Sequence, residues 1–312
     1  MSRRASTSPC GDGRTSVPPR ARLEEAYFTA LQWHVRACHD LAVAPDALER
    51  AGVPWLTFKG PVLAEAIYVR HDLRSYADLD LLVSPGRLRD AITALEGAGG
   101  QLLDRNWRLA RERMHGELHV RMPMGTTVDL HWHVVNEPQL REAFVVRTEE
   151  LLARARSVDI DGRPVRTLSV EDTLVHLALH ACTSGGSRLL WCKDLEQAVG
   201  QVGLDWGTVV ARACGWGVGP PVATMLTVAS QAMHFSIAPE VIRALSPGPL
   251  WRGLANATKC VSPPQLGRQR FAAASGVPVD EERRSGQHPG AVPPHGQPGH
   301  RSGSKRPPPD GP

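Results

Sequence analysis

The stretch Tyr76-Ala77-Asp78-Leu79-Asp80-Leu81-Leu82-Val83 narrows the possible folds more than any other, because it sets two carboxylates two residues apart inside an apolar, strand-like run. Successive side chains on a β-strand point to opposite faces. Asp78 and Asp80 therefore share one face, while Ala77, Leu79, Leu81 and Val83 line the other. One face is core and the other is acidic. Two like charges this close repel and raise each other's pKa unless something positive lies between them, and a divalent cation is the usual answer.

Residues 53–58 read as a strand that ends at Lys59-Gly60-Pro61, ahead of a helix over residues 62–68 with proline in its first turn. In such a strand–glycine–helix unit the backbone can approach phosphates and the helix N-terminus favours anions. Lys59 adds a full charge, although a plain strand–helix turn would read the same way. Further on, residues 117–122 and 126–134 predict a hairpin around Pro123-Met124-Gly125. In its second strand Asp129, His131 and His133 share one face, which puts a third carboxylate beside Asp78 and Asp80 on the same solvent-facing side. Three acids can hold two magnesium ions, and two-metal sites clamp the attacking and leaving oxygens of phosphoryl transfer. The histidines allow a competing reading, since His119, His131 and His133 with Asp129 would suit a transition metal in a hydrolase. His176 and His180 stand one helical turn apart without the glutamate of an HExxH pair, so each is expected to be hydrogen-bonded in a structural role.

The remaining pattern is mostly helical. Helices are expected over residues 21–42 and 45–51, from Ser84-Pro85 through Leu88, Ile92 and Leu95, and over 138–155. Asp161-Gly162 joins two short strands, and Ser169 with Asp172 starts a helix to residue 183. Helices then follow over 187–199, 205–214, 218–234 and 239–245. The organisation expected is a disordered segment 1–20, an α/β core 21–168, a helical domain 169–261 and a disordered Pro/Gly/Arg-rich tail 262–312. The net charge of +4 owes much to arginine at the two ends, which points to solubility rather than a nucleic-acid surface. Six scattered cysteines fit reduced thiols. No run is long enough to span a membrane and no apolar segment follows the basic N-terminus, so a cytoplasmic protein is expected.

Lys59-Gly60 after a strand, Arg74 four residues before Asp78-Leu79-Asp80-Leu81-Leu82-Val83, and Val128-Asp129-Leu130-His131-Trp132 together resemble the uncharacterised nucleotidyltransferase family of the DNA polymerase β-like superfamily. The segments Leu174-Val175-His176-Leu177-Ala178-Leu179-His180 and Trp191-Cys192-Lys193-Asp194-Leu195 resemble that family's second half. The resemblance implies an α+β fold, with a small mixed β-sheet nucleotidyltransferase core flanked by helices and followed by an α-helical domain. It implies Asp78 and Asp80 as paired ligands of Mg2+ or Mn2+, and Asp129 as the third catalytic carboxylate, which activates the acceptor hydroxyl. Lys59, Gly60 and Arg74 would bind the nucleotide, ATP or another NTP. Pro61 departs from the superfamily's turn by removing a backbone N–H that could have held a phosphate. The activity implied is transfer of an NMP from an NTP to an acceptor hydroxyl or phosphate on a small molecule, an RNA or a protein, against the alternative of a non-catalytic nucleotide- or partner-binding module.

Overall fold

The computed structural model describes residues 19–106, 116–246 and 248. The chain divides into two units, Met1–Gln269 and Arg270–Pro312, and every described residue belongs to the first. The disorder expected for 1–20 and 262–312 lies outside the described residues, apart from Pro19 and Arg20, which open the first helix. In chain order the elements are α1 (Pro19–Arg50), β1 (Trp55–Phe58), α2 (Gly60–Ala66), a 3-10 turn (His71–Leu73), β2 (Asp78–Val83), α3 (Leu88–Gly97) and β3 (Gln101–Leu102). They continue with β4 (Glu117–Arg121), β5 (Thr127–His131), α4 (Pro138–Ala143), α5 (Thr148–Ala153), β6 (Arg156–Ile160) and β7 (Arg163–Thr167). The second half is α6 (Val170–Thr183), α7 (Leu189–Val199), α8 (Trp206–Gly215), α9 (Gly219–Met233) and α10 (Pro239–Leu245).

The strands form one mixed seven-stranded sheet in the order β3-β4-β5-β2-β1-β7-β6, so the expected α+β architecture with a helical second half holds. β2 is central, antiparallel to β1 and parallel to β5. Alternation along it divides the molecule into two cores. Leu79, Leu81 and Val83 pack with Trp55, with Leu41 and Leu48 of α1, and with Ile92 and Leu95 of α3. On the opposite face Leu56, Phe58 and Leu82 pack with Leu151 of α5, Leu174 and Leu177 of α6, and Leu195 of α7. Burying one such leucine stabilises by about 1.5–3 kcal/mol, so both faces of β1 and β2 are committed. The acidic face of β2 therefore turns apolar at Leu82, where the helical half covers it. The solvent-facing placement expected for that face is corrected accordingly: Asp80 is 2% exposed.

Three local expectations also change. The two N-terminal helices are one helix that runs through Pro45. A proline in a helix interior costs about 3 kcal/mol, but Ala37, Leu41, Ala44 and Leu48 on both sides of it are buried in one core and outweigh that loss. The helix expected over 138–155 is broken between α4 and α5, because the Val145 N–H donates to the carbonyl of Trp216 at 3.0 Å and Val146 enters the core. β5 stops at His131 because the Trp132 N–H turns to the Gly116 carbonyl, 2.9 Å away. Ser169 caps α6 as expected, its hydroxyl accepting from the Asp172 N–H. Among the described residues no helix is long and apolar enough to cross a membrane.

α9 meets α10 through Gly219, where a Cβ would sit 2.4 Å from the carbonyl oxygen of Leu245. Backbone on both sides leaves little room to relax, so Gly219→Ala should destabilise by about 1–3 kcal/mol. Thermal unfolding checks this: a melting temperature unchanged from wild type would show that the α9–α10 approach is looser than described.

Candidate functional site

The site is built where β1 ends. The chain must pass at once from β1 into α2, and Lys59 makes that turn at φ 58°, ψ −146°, a region that costs a non-glycine residue about 1–3 kcal/mol. The turn aims the side chain inward, and Lys59 Nζ donates to Asp80 Oδ1 at 2.6 Å. Gly60 follows at φ +42°, and a Cβ there would lie 3.1 Å from the carbonyl oxygen of Asp78, so glycine lets the turn lie flat on β2.

The sheet then lines up the acids. Asp80 is paired in register with Phe58 of β1 and with Asp129 of β5, and Asp129 with His119 of β4, forming one rung across four strands. The next rung places His131 opposite Glu117. His131 Nε2 lies 3.1 Å from Asp80 Oδ1, and its Nδ1 lies 3.2 Å from Glu117 Oε2 without hydrogen-bond geometry. His119 Nε2 is 3.8 Å from Asp129 Oδ1, while its Nδ1 and backbone N–H both meet Asp104 Oδ2, at 2.7 and 2.6 Å. Asp78, two residues before Asp80, faces the same side and is half-buried.

Charge is distributed unevenly over this rung. Burial pushes the Asp80 carboxyl up, but Lys59 and His131 together outweigh it and hold Asp80 below the usual carboxylate range. Burial would likewise lower Lys59, and Asp80 reverses that. Asp129 is pushed up to about 7, first by burial and then by the charges of Asp80 and Asp78. Asp78 is raised by burial and by Asp80. In effect Asp80 has a cation already, whereas Asp129 and Asp78 bear the cost of standing beside it. Asp80, Asp129 and His131 each offer a ligand atom, and these atoms all lie within 4.8 Å of one another.

Lys59, Gly60, Asp78, Asp80 and Asp129 are thus brought together, and Arg74 is not a free member of the group. Its guanidinium donates to both Asp194 oxygens, Nε to Oδ1 at 2.8 Å and Nη2 to Oδ2 at 3.0 Å, and Nη1 donates to the Gly60 carbonyl at 3.1 Å. The Tyr68 hydroxyl completes the cluster by donating to Asp194 Oδ1 at 2.7 Å. Arg74 is 7% exposed, so the guanidinium assigned to nucleotide binding is engaged with Asp194 and with the carbonyl of the glycine turn.

The alternative metal centre on His119, His131 and His133 does not assemble. His133 lies past the end of β5, with its ring 2.9 Å from the Val146 carbonyl and receiving the Val135 N–H. The hydrogen bonds expected for His176 are also missing: neither ring nitrogen has a partner among the described residues, and burial holds the ring neutral, well below its usual range. It packs against Phe58 and His180 instead, 5.0 and 6.0 Å between ring centroids. Sequence reasoning assigned no role to Glu117, Asp104, Tyr68 or Asp194. Alternation along β4 could have flagged Glu117 beside His119, but no local signal joins Asp194 to Arg74.

The model of a family described as uncharacterised nucleotidyltransferase matches residues 4–234. No curated protein sequence matches the chain significantly. Among solved structures, a crystal structure of ANT(2'')-Ia in complex with adenylyl-2''-tobramycin is 16% identical, over 57% of this chain and 95% of that one, with a TM-score of 0.40. An antigenic nucleotidyltransferase-like protein from Paracoccidioides brasiliensis is 18% identical over 65% and 90%, with a TM-score of 0.38. The lincomycin-bound lincosamide antibiotic adenylyltransferase LnuA is 15% identical over 50% and 91%, with a TM-score of 0.33. All three scores are below 0.5, so the family match carries the assignment.

Proposed function

The chain belongs to the family described as uncharacterised nucleotidyltransferase, and we propose that it moves an NMP from an NTP to an acceptor hydroxyl on the Asp78, Asp80 and Asp129 face. The observation that carries this reading is the register of β2 against β5. Asp80 and Asp129 are direct partners, with the Lys59-Gly60 turn beside them, so carboxylates and a lysine-bearing glycine turn meet at one place.

The donor set fits a hard divalent cation. It is rich in carboxylate oxygens, and Asp129 is raised in a way that a cation between the acids would relieve. Asp78, Asp80 and Asp129 would hold Mg2+ or Mn2+, which when bound supplies charge neutralisation for the triphosphate and the departing pyrophosphate. His131 keeps the Asp80 carboxylate oriented. Lys59 is the mobile charge of the site: its ammonium is placed to leave Asp80 for the triphosphate as other positive charge arrives. Asp129 takes the proton from the acceptor hydroxyl, whose oxygen forms a bond to the α-phosphorus while the α–β bridging bond breaks and pyrophosphate leaves. Arg74 acts through Gly60, and is a positioning residue.

The test uses the full chain stripped of metal with EDTA and given each of the four NTPs, cell extract, and magnesium or none. Pyrophosphate should appear with at least one NTP, only when both the chain and magnesium are present, and its formation should stop when EDTA is restored. No pyrophosphate from any NTP, with no nucleotide-induced rise in melting temperature, would contradict the proposal. A rise in melting temperature without turnover would favour the non-catalytic binding module.

A further inference from the structure

His34 of α1, Glu65 of α2 and His71 of the 3-10 turn converge, with no residue in common with the acid face. His34 Nε2 lies 3.3 Å from Glu65 Oε1 and His71 Nδ1 lies 3.4 Å from the same oxygen, and all three ligand atoms lie within 4.8 Å of one another. We propose that His34, Glu65 and His71 form a separate site for a zinc-class divalent cation, which staples α1 to α2 and to the turn feeding β2.

The geometry and the chemistry of the donors both point this way. Zinc bonds nitrogen and oxygen at about 2.0–2.2 Å, so the edges of its tetrahedron are roughly 3.3–3.5 Å, and the two closest approaches here have that length. Two imidazoles and one carboxylate are a borderline-soft set that suits zinc and its first-row neighbours better than magnesium. His34 is already oriented as a ligand. Its Nδ1 is 2.8 Å from the Tyr76 hydroxyl, which fixes the ring with Nε2 turned toward Glu65, the outer support that metal-binding histidines usually have. The His34 and His71 rings stack at 4.5 Å with 8° between their planes, so their lone pairs run side by side. Coordination therefore needs a turn of His71 about its Cβ–Cγ bond. That ring is 44% exposed and free to make it, whereas His34 is buried. A fourth position remains for water, with Cys38 Sγ 3.5 Å from His34 Nε2 as the adjacent thiol.

A cation here would act on the reaction only at a distance. It would tie the second turn of α2, five residues beyond Gly60, to the segment that leads through Tyr76 into Asp78 and Asp80. The proposal does not depend on the nucleotidyltransferase reading, and each can fail without the other.

The experiment takes the untagged full chain, strips it with chelator, and adds micromolar Zn2+ in a large excess of Mg2+ so that the acid face is occupied. Wild type should retain about one zinc equivalent more than His71→Ala or Glu65→Gln after desalting, and the zinc-induced rise in its melting temperature should be lost in both variants. Co2+ should give wild type a visible d–d absorption band that His71→Ala lacks. His71 is exposed, so the alanine variant is expected to fold; if it does not, Glu65→Gln, which keeps shape and size, makes the same comparison. Equal zinc retention in wild type and variants, or none in any of them, would overturn the proposal.

Discussion

Asp80→Asn and Asp129→Asn should each cut magnesium-dependent NTP turnover by on the order of 10³-fold or more, while moving the stability of the nucleotide-free fold in opposite directions. The activity loss follows from removing one carboxylate of a cation-holding set worth several kcal/mol of charge stabilisation, at about 1.4 kcal/mol for each factor of ten. The stability difference follows from the uneven charge of the rung. Asp80→Asn strips the partner from a Lys59 ammonium that is 18% exposed, and orphaning one member of a buried pair costs about 3–5 kcal/mol. The partial exposure of Lys59 favours the lower end.

Asp129 has the opposite sign. Its carboxyl is raised to about 7, against about 3.9 in an unfolded chain. The folded state thus keeps a proton that the unfolded state has lost. The penalty is absent below about pH 4, grows from there to about pH 7 and is complete above it. Asp129→Asn removes the penalty, so the variant should gain stability relative to wild type as pH rises through that window, and should match it at pH 4. Melting temperatures of both variants between pH 4 and 8, with and without Mg-NTP, check the account. An Asp129→Asn variant that is less stable than wild type at pH 8, or that keeps wild-type turnover, would contradict it.

Arg74→Ala is expected to have the largest effect on the fold itself. It leaves Asp194, 1% exposed, as a buried carboxylate whose remaining support among the described residues is the Tyr68 hydroxyl. A loss of about 3–5 kcal/mol follows, which at roughly 2–4 °C per kcal/mol lowers the melting temperature by about 10 °C. Replacing both charges at once, as Arg74→Met with Asp194→Leu, should recover most of the stability, because no uncompensated ion remains. Turnover should not recover, since the Gly60 carbonyl still lacks its guanidinium donor. A double variant that regains stability and rate together would show that Arg74 is structural only.

These two cases also mark how far the chain could be read without its fold. Alternation along residues 78–83 was sufficient to put Asp78 and Asp80 on one face, because the period of a strand is a local property. Their approach to Asp129 depends on strand order, which alternation does not fix: setting the two strands side by side was an expectation with no local signal behind it, and the β2–β5 pairing bears it out. The burial of Asp80 was invisible for a related reason: Leu56, Phe58 and Leu82 show an apolar acidic-side face only when the three are seen together, and their cover comes from α5, α6 and α7. The Arg74–Asp194 pair spans 120 residues, so no spacing rule reaches it. The break between α4 and α5 likewise rests on Trp216, far along the chain.

Isotope position separates nucleotidyl transfer at this acid face from phosphoryl transfer and from hydrolysis. Wild-type chain is incubated with magnesium, cell extract and the productive NTP, labelled at the α-phosphate in one tube and at the γ-phosphate in the other. The α-label should move to an acceptor and the γ-label should leave in pyrophosphate, with neither happening in Asp129→Asn. Transfer of the γ-label to an acceptor, or its release as inorganic phosphate with no α-label transferred, would contradict the account.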